Sequence, residues 1–342
     1  MSTRWKTAVV SSMALLLLDT AVVAQQAQED DAAAETDAAL TPPAPIYPTA
    51  EALAHLEEAV GGELRDDLVL RFAPYFFPSY EGGTLFMLGF RVGASDLMFG
   101  VDSAAMDATD GVQLGEMPPE VAEVEVFGSI HGAAADVRSF GMPLRLSRDG
   151  VGEEGLSATH SFGDRLPAGS YILNWGIRDL VSGRASTVSQ ALEVPDFTAG
   201  GIGLSSVLMV EGDPSGASGA FRSGIVYEGV RVATASFTDH LLHEFSKSEG
   251  EVMLTYVVTG TQRDPATGAA NFALSYQIRD AAGEIVWGTP AQPHTRTTVG
   301  QPFRFADIEQ VSPGNEYVFV IYAKDLTAET DTTTEVPFRV VR

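Results

Sequence analysis

The chain has no cysteine among its 342 residues. That excludes disulfides, thiolate metal sites, cysteine nucleophiles and thioether-linked haem, along with a lipid-modified N-terminal cysteine. Basic residues are scarce: 21 Lys and Arg stand against 46 Asp and Glu, a formal charge of −25. A phosphate-binding surface needs clustered Lys and Arg, so the balance argues against a nucleic-acid partner. The same charge favours solubility and keeps copies of the chain apart. Long helical periodicity is missing, and beyond the N-terminal segment no run approaches the ~20 apolar residues of a membrane-spanning helix. There is no Gly-x-Ser-x-Gly elbow and no glycine-rich phosphate loop ending in Gly-Lys.

What is present starts with a secretory signal. Arg4 and Lys6 precede an apolar stretch, Ala8-Val9-Val10 and Met13 to Leu18, and Val22-Val23-Ala24 supplies small residues before Gln25. That order predicts a signal peptide over 1–24, and Asp19 cuts its apolar run short of a comfortable membrane span. The mature chain is expected to carry no transmembrane segment and to be exported, to the periplasm or beyond the cell. Residues 25–48 are rich in Ala, Asp, Glu and Pro, too polar to repay the entropy of ordering, and predict a flexible acidic linker. Over 49–64 one short helix is expected. Thr49 caps it, Ala52, Leu53, Leu56 and Val60 fall at helical spacing, and Gly61-Gly62 ends it.

From about Asp67 onward, short runs with strand periodicity alternate with Gly, Pro, Asp and Ser clusters, as in Leu85 to Val92, Val121 to Ile130, Met253 to Thr259, Phe272 to Arg279 and Phe303-Arg304-Phe305. An internal repeat organises them. Pro167-Ala168-Gly169-Ser170-Tyr171 leads into a strand that closes on Asp179-Leu180, and Pro313-Gly314-Asn315-Glu316-Tyr317 into one that closes on Asp325-Leu326. The Pro, Tyr, Asp and Leu pairs all lie 146 positions apart, and the same offset carries Leu192 and Val194 onto Phe338 and Val340. A fixed offset through two strands and their turn marks a unit that occurs twice. In the first copy Tyr171, Leu173, Trp175 and Ile177 share one face, with Asn174 and Arg178 on the other, the alternation of an antiparallel strand with its aromatic face toward a second sheet. The expected fold is all-β: two tandem immunoglobulin-like β-sandwich domains, over 65–196 and 197–342, after the signal peptide and linker.

The turn Leu166 to Tyr171, the strand end Arg178-Asp179, Ser182-Gly183-Arg184, Leu192 to Phe197 and Leu204-Ser205-Ser206-Val207 together resemble the C-terminal immunoglobulin-like regions of secreted bacterial von Willebrand factor A-related proteins. These motifs mark turns and junctions, so the resemblance implies architecture and no chemistry. No von Willebrand A domain precedes them. Asp213-Pro214-Ser215-Gly216-Ala217 has the outline of that family's Asp-x-Ser-x-Ser metal site, but Ala217 replaces the second serine, and it is read as a glycine-rich loop.

No catalytic, cofactor-binding or metal-binding residue is assigned, and no cofactor is expected. The one His-rich stretch, Asp239 to Glu244, places His240 and His243 three apart, on one face if helical, but offers no third distant ligand. His55, His131, His160 and His294 are scattered. The acidic stretches Asp102 to Asp110 and Asp149 to Glu154 lack the spacing of a Ca²⁺ loop and read as solvated. The run Pro74 to Tyr80 suits either sugar stacking at the surface or packing in a core. The sequence thus favours a non-catalytic exported interaction or structural module of the cell envelope, with other envelope or extracellular proteins as partners. The alternative is a carbohydrate-binding module, with or without Ca²⁺. Because no spacing supports a structural metal, thermal melts with and without EDTA are expected to superimpose; a loss of stability in EDTA that Ca²⁺ or Zn²⁺ restores contradicts this.

Overall fold

In the computed structural model, residues 48–79, 83–101, 120–132, 137–151, 155–157, 160–212, 224–227, 230–233, 243–246 and 251–341 are described. The expected signal peptide, nearly all of the acidic linker and the stretch 213–217 lie outside them. Ile46–Arg342 forms one compact unit. Among the described residues no helix is long and apolar enough to cross a membrane.

Helix α1 (Ala50–Val60) begins where its cap predicts: the Thr49 hydroxyl accepts the Ala52 N–H, and Gly61 ends it. Its buried stripe is Ala52, Leu56 and Ala59, while Leu53 and Val60 are exposed. The apolar face is therefore rotated away from the one that its larger side chains suggest.

Strands follow. The first eight are β1 (Leu70–Pro78), β2 (Thr84–Val92), β3 (Gly100–Val101), β4 (Glu120–Gly132), β5 (Val137–Ser147), β6 (His160–Leu166), β7 (Gly169–Asp179) and β8 (Ala185–Val194). One sheet runs β1-β2-β6; the other runs β5-β4-β7-β8, with β3 paired to the start of β4. Every pairing is antiparallel. One core takes side chains from both sheets, Phe86, Leu88 and Phe90 against Val126, Leu173, Trp175 and Ile177. The Trp175 indole receives Phe72 edge-on at 5.2 Å and Phe90 at 5.7 Å between centroids. This is a β-sandwich.

The rest of the chain carries β9 (Gly203–Leu204), β10 (Leu208–Gly212), β11 (Gly224–Tyr227), β12 (Val230–Ala233), β13 (His243–Ser246), β14 (Glu251–Thr259), β15 (Phe272–Asp280), β16 (Ile285–Gly288), β17 (Gln292–His294), β18 (Thr298–Phe303), β19 (Glu316–Asp325) and β20 (Asp331–Val341). Here β10-β14-β18 faces β13-β20-β19-β15-β16 across a second core, and β11 and β12 pair antiparallel. β13 runs parallel to β20. Leaving the short extra strands aside, the two halves have the same order, β1-β2-β6 with β5-β4-β7-β8 and β10-β14-β18 with β16-β15-β19-β20. That is the immunoglobulin-like arrangement. Leu173 and Phe319, 146 positions apart, are both fully buried, each in its own core. Gly169, the first residue of β7, and Gly314, in the turn before β19, both take positive φ, at 145° and 88°. The strand expected over Phe303-Arg304-Phe305 stops at Phe303; Phe305–Asp307 is a 3-10 turn that stacks Phe305 on Phe338 at 4.9 Å.

Two adjacent serines join the halves. Ser205 donates its N–H to the Val257 carbonyl and accepts the Val257 N–H on its hydroxyl, both at 2.9 Å. Ser206 does the same with Phe76 of β1, its N–H donating to the Phe76 carbonyl and its hydroxyl accepting the Phe76 N–H, again at 2.9 Å. The buried Thr84 hydroxyl adds a bond to the Pro195 carbonyl at 2.6 Å.

Candidate functional site

Strand β7 was expected to be half-buried. From Leu173 to Asp179 it is buried on both faces, Asn174 and Arg178 included, whereas Ile172 is exposed. What brings this about is helix α1, laid across the outer surface of β4, β7 and β8. Its Ala52 and Leu56 pack on Phe127. That ring lies over β7 at Gly176, where a Cβ would sit 2.9 Å from Phe127 Cζ and 2.5 Å from the Ser186 carbonyl oxygen. Glycine is required there.

At the helix N-terminus an ionic cluster closes the contact. Glu125 accepts the Thr49 N–H at 2.8 Å and the Thr49 hydroxyl at 2.7 Å, and receives Arg178 Nη2 at 3.2 Å. Arg178 Nη1 donates to Glu51 at 2.8 Å. The Glu125 and Arg178 side chains are 5% and 11% exposed, whereas Glu51 is 73% exposed. Glu125 and Arg178 thus form a buried pair whose partners cannot be removed singly without stranding a charge, and Glu51 is a rim contact. Further along the same face Ser129 Oγ and His131 Nε2 lie 2.9 Å apart, and the buried Asn174 Oδ1 has no partner among the described residues.

A second polar device occurs twice. Asp179 Oδ1 accepts the N–H groups of Val181 and Ser182 at 2.8 and 2.9 Å, while Oδ2 accepts that of Met98 at 2.6 Å. Asp325 Oδ1 accepts those of Thr327 and Ala328 at 2.7 and 2.8 Å, while Oδ2 accepts that of Gln262 at 2.6 Å. Each carboxylate fixes the turn that follows its strand and ties it to a distant loop. Burial by itself would raise the Asp325 carboxyl; the N–H groups of Ala328, Gln262 and Thr327 outweigh it and hold the group below the ordinary carboxylate range. The tyrosines that open β7 and β19 also bond back to preceding backbone. The Tyr171 hydroxyl donates to the Pro167 carbonyl at 2.9 Å, and the Tyr317 hydroxyl accepts the Ser312 N–H at 2.8 Å. Such tyrosine corners are a hallmark of immunoglobulin-like sandwiches.

The residues considered for chemistry do not converge. Among the described residues there is no group of three or more His, Asp or Glu side chains placed to hold a metal. His243 and Glu244 lie on strand β13, so helical spacing does not relate His243 to His240, which falls outside the described residues. His55 contacts Glu58 at 3.3 Å, and His294 stacks on Phe272 at 5.7 Å, where burial lowers its pKa. His160 opens β6, its backbone paired with that of Phe90. Asp102 to Asp110 and residues 152–154 are outside the described set, and Asp149 sits in the 3-10 turn Arg148–Gly150. The aromatic run is no sugar platform. Tyr75 and Phe77 are buried and Phe76 packs on the first core; Tyr80 is outside the described residues. Sequence reasoning missed the polar surface beneath α1, and the signal for it was Arg178, a charge on a strand whose neighbours are apolar.

No family model matches the chain, and no curated protein does. Among solved structures, a DUF4785 family protein from Legionella pneumophila is 11% identical, with 80% of this chain and 58% of that one covered and a TM-score of 0.22. The chain thus spans about 58% of that protein's length. Fibronectin(III)-like modules of Clostridium thermocellum CbhA are 10% identical, with 80% and 94% covered and a TM-score of 0.19. Likeness this distant carries no functional weight.

Two outcomes are expected from these sites. Arg178→Met leaves Glu125 buried without its cation and costs about 3–5 kcal/mol, whereas Glu51→Gln changes stability by less than about 0.5 kcal/mol; denaturation midpoints of the two variants check this. Because the Asp325 pKa is lowered on folding, its contribution is complete above the unfolded value near pH ~4 and fades as pH falls through the folded one. Asp325→Asn, which sets an amide N–H₂ against N–H donors, is expected to cost roughly 1–3 kcal/mol at neutral pH. Its melting temperature should converge on that of the parent in acid.

Proposed function

We propose that the chain is a non-catalytic interaction or structural module, exported to the bacterial cell envelope, with two immunoglobulin-like domains that bind other envelope or extracellular proteins. One observation carries this reading. The residue after each pinned aspartate is a leucine with its side chain in solvent, Leu180 at 39% and Leu326 at 43% exposed. An exposed apolar residue normally loses conformational freedom when it docks. Here the turn beneath it is already fixed, so that cost is met in folding. An aliphatic anchor held on rigid backbone suits a protein interface. The basic, apolar and small-residue order of the N-terminus supports export. The buried polar groups also fit, since Glu125, Arg178, Asp179 and Asp325 all hold backbone or helix in place.

A photo-crosslinking residue at Val181 or at Thr327, in the full chain expressed in its native cells, tests the reading. Discrete protein adducts are expected from at least one position, lost when the adjoining Leu180 or Leu326 is changed to Asp. Adducts that survive both Asp changes, or none at either position, contradict the reading.

A further inference from the structure

The two tyrosine corners differ in the direction of one hydrogen bond. Tyr171 gives its hydroxyl hydrogen to the Pro167 carbonyl. Tyr317, 146 positions on, receives a hydrogen from the Ser312 N–H instead, and among the described residues its own O–H has no acceptor. The Tyr317 ring is 4% exposed, stacked on Phe338, so this donor is fixed in place. Tyr317 is among the residues lining a cleft of about 440 Å³ between the β15–β16 turn and the segment 310–317. Small-ligand sites occupy roughly 300–1,000 Å³.

The cleft's other polar groups narrow the ligand. Asp280 uses Oδ1 to accept the Ala282 and Glu284 N–H groups, both at 2.9 Å, which leaves Oδ2 as an acceptor. Glu316 is held by Arg339 at 2.5 Å. The Gln310 and Asn315 amides are exposed. A ligand must therefore present an acceptor to Tyr317 and a donor to Asp280. A cation offers donors only. An anion offers acceptors only, and both Asp280 and the net charge of −25 repel it. Among neutral groups a hydroxyl and an amide both do so, and only the hydroxyl does so from a single atom. Ala281, Ala282 and the half-buried Val286 add apolar surface for the C–H face of a ring.

We infer that this cleft of the second sandwich binds a neutral polyhydroxylated ligand, a sugar residue, through the Tyr317 hydroxyl and the Asp280 carboxylate. With no aromatic platform in the lining, binding is weak, with Kd about 1 mM or above. The inference does not rest on the protein-interaction reading above, and the adducts at Val181 and Thr327 neither support nor weaken it.

The test is NMR titration of the full mature chain, following the amides of Ala281, Ala282 and Asn315. The probes are cellotriose and chitotriose as neutral sugars, spermidine as a cation and glucuronate as an anion. Shifts at these amides with at least one neutral sugar, and with neither charged probe, are expected. Tyr317→Phe keeps the ring and should weaken binding roughly three- to tenfold, whereas Tyr171→Phe leaves it unchanged. If Tyr317→Phe does not fold, the exposed Gln310→Ala and Asp280→Asn take its place, each with weaker binding expected. No shift with either sugar, an equal or larger response to spermidine or glucuronate, or unchanged affinity in the variants overturns the assignment.

Discussion

Everything at the turn-bearing ends of these sandwiches depends on carboxylates that replace water for backbone N–H groups. A turn after a buried strand exposes donors that β-pairing cannot satisfy, and an N–H left without a partner in a low-dielectric setting costs about 1–3 kcal/mol. Asp179 and Asp325 each satisfy three, two within the turn and one in a distant loop. Charge-assisted bonds of this kind are stronger than neutral ones, and each fixes the relative position of two loops. The turns can then present apolar side chains outward without collapsing around them.

The sequence was legible where a pattern had a period. Strand alternation identified Leu173, Trp175 and Ile177 as core, and the 146-residue offset placed Leu173 and Phe319 at equivalent buried positions. Cap chemistry located α1 from Thr49 and Gly61. It was opaque where the determinant is tertiary. Asn174 and Arg178 alternate as solvent-facing residues should, and the helix start that covers Arg178 is contributed from far upstream. The Pro74 to Pro78 run shows the reverse. Its aromatics fit a surface platform as well as a core, and Tyr75 and Phe77 prove buried while the Phe76 backbone between them pairs with Ser206. That Tyr171 donates its hydroxyl hydrogen and Tyr317 does not was hidden for the same reason, since identical residues at identical offsets say nothing of which backbone group faces them.

The charge of −25 bears on function mainly through what it discourages. Copies repel one another, and anionic surfaces and ligands are disfavoured, which leaves neutral or basic partners and uncharged small molecules. Several of the arginines that offset it are already paired. Arg65 meets Asp67, Arg178 meets Glu125, Arg184 meets Asp96, and Arg339 meets Glu316. Most of these lie at the surface and contribute little to stability, but they leave fewer cations free to attract acidic partners.

The serine pair at the junction has a mechanical consequence. Successive residues of an extended chain aim their N–H and C=O groups to opposite sides, so Ser205 and Ser206 bind β14 and β1 simultaneously, without either competing for the other's partners. A swivel or bend about this point must break bonds on one side before it moves the other. The molecule should therefore transmit torque and tension from one sandwich to the next as a beam does, instead of absorbing them like a tether.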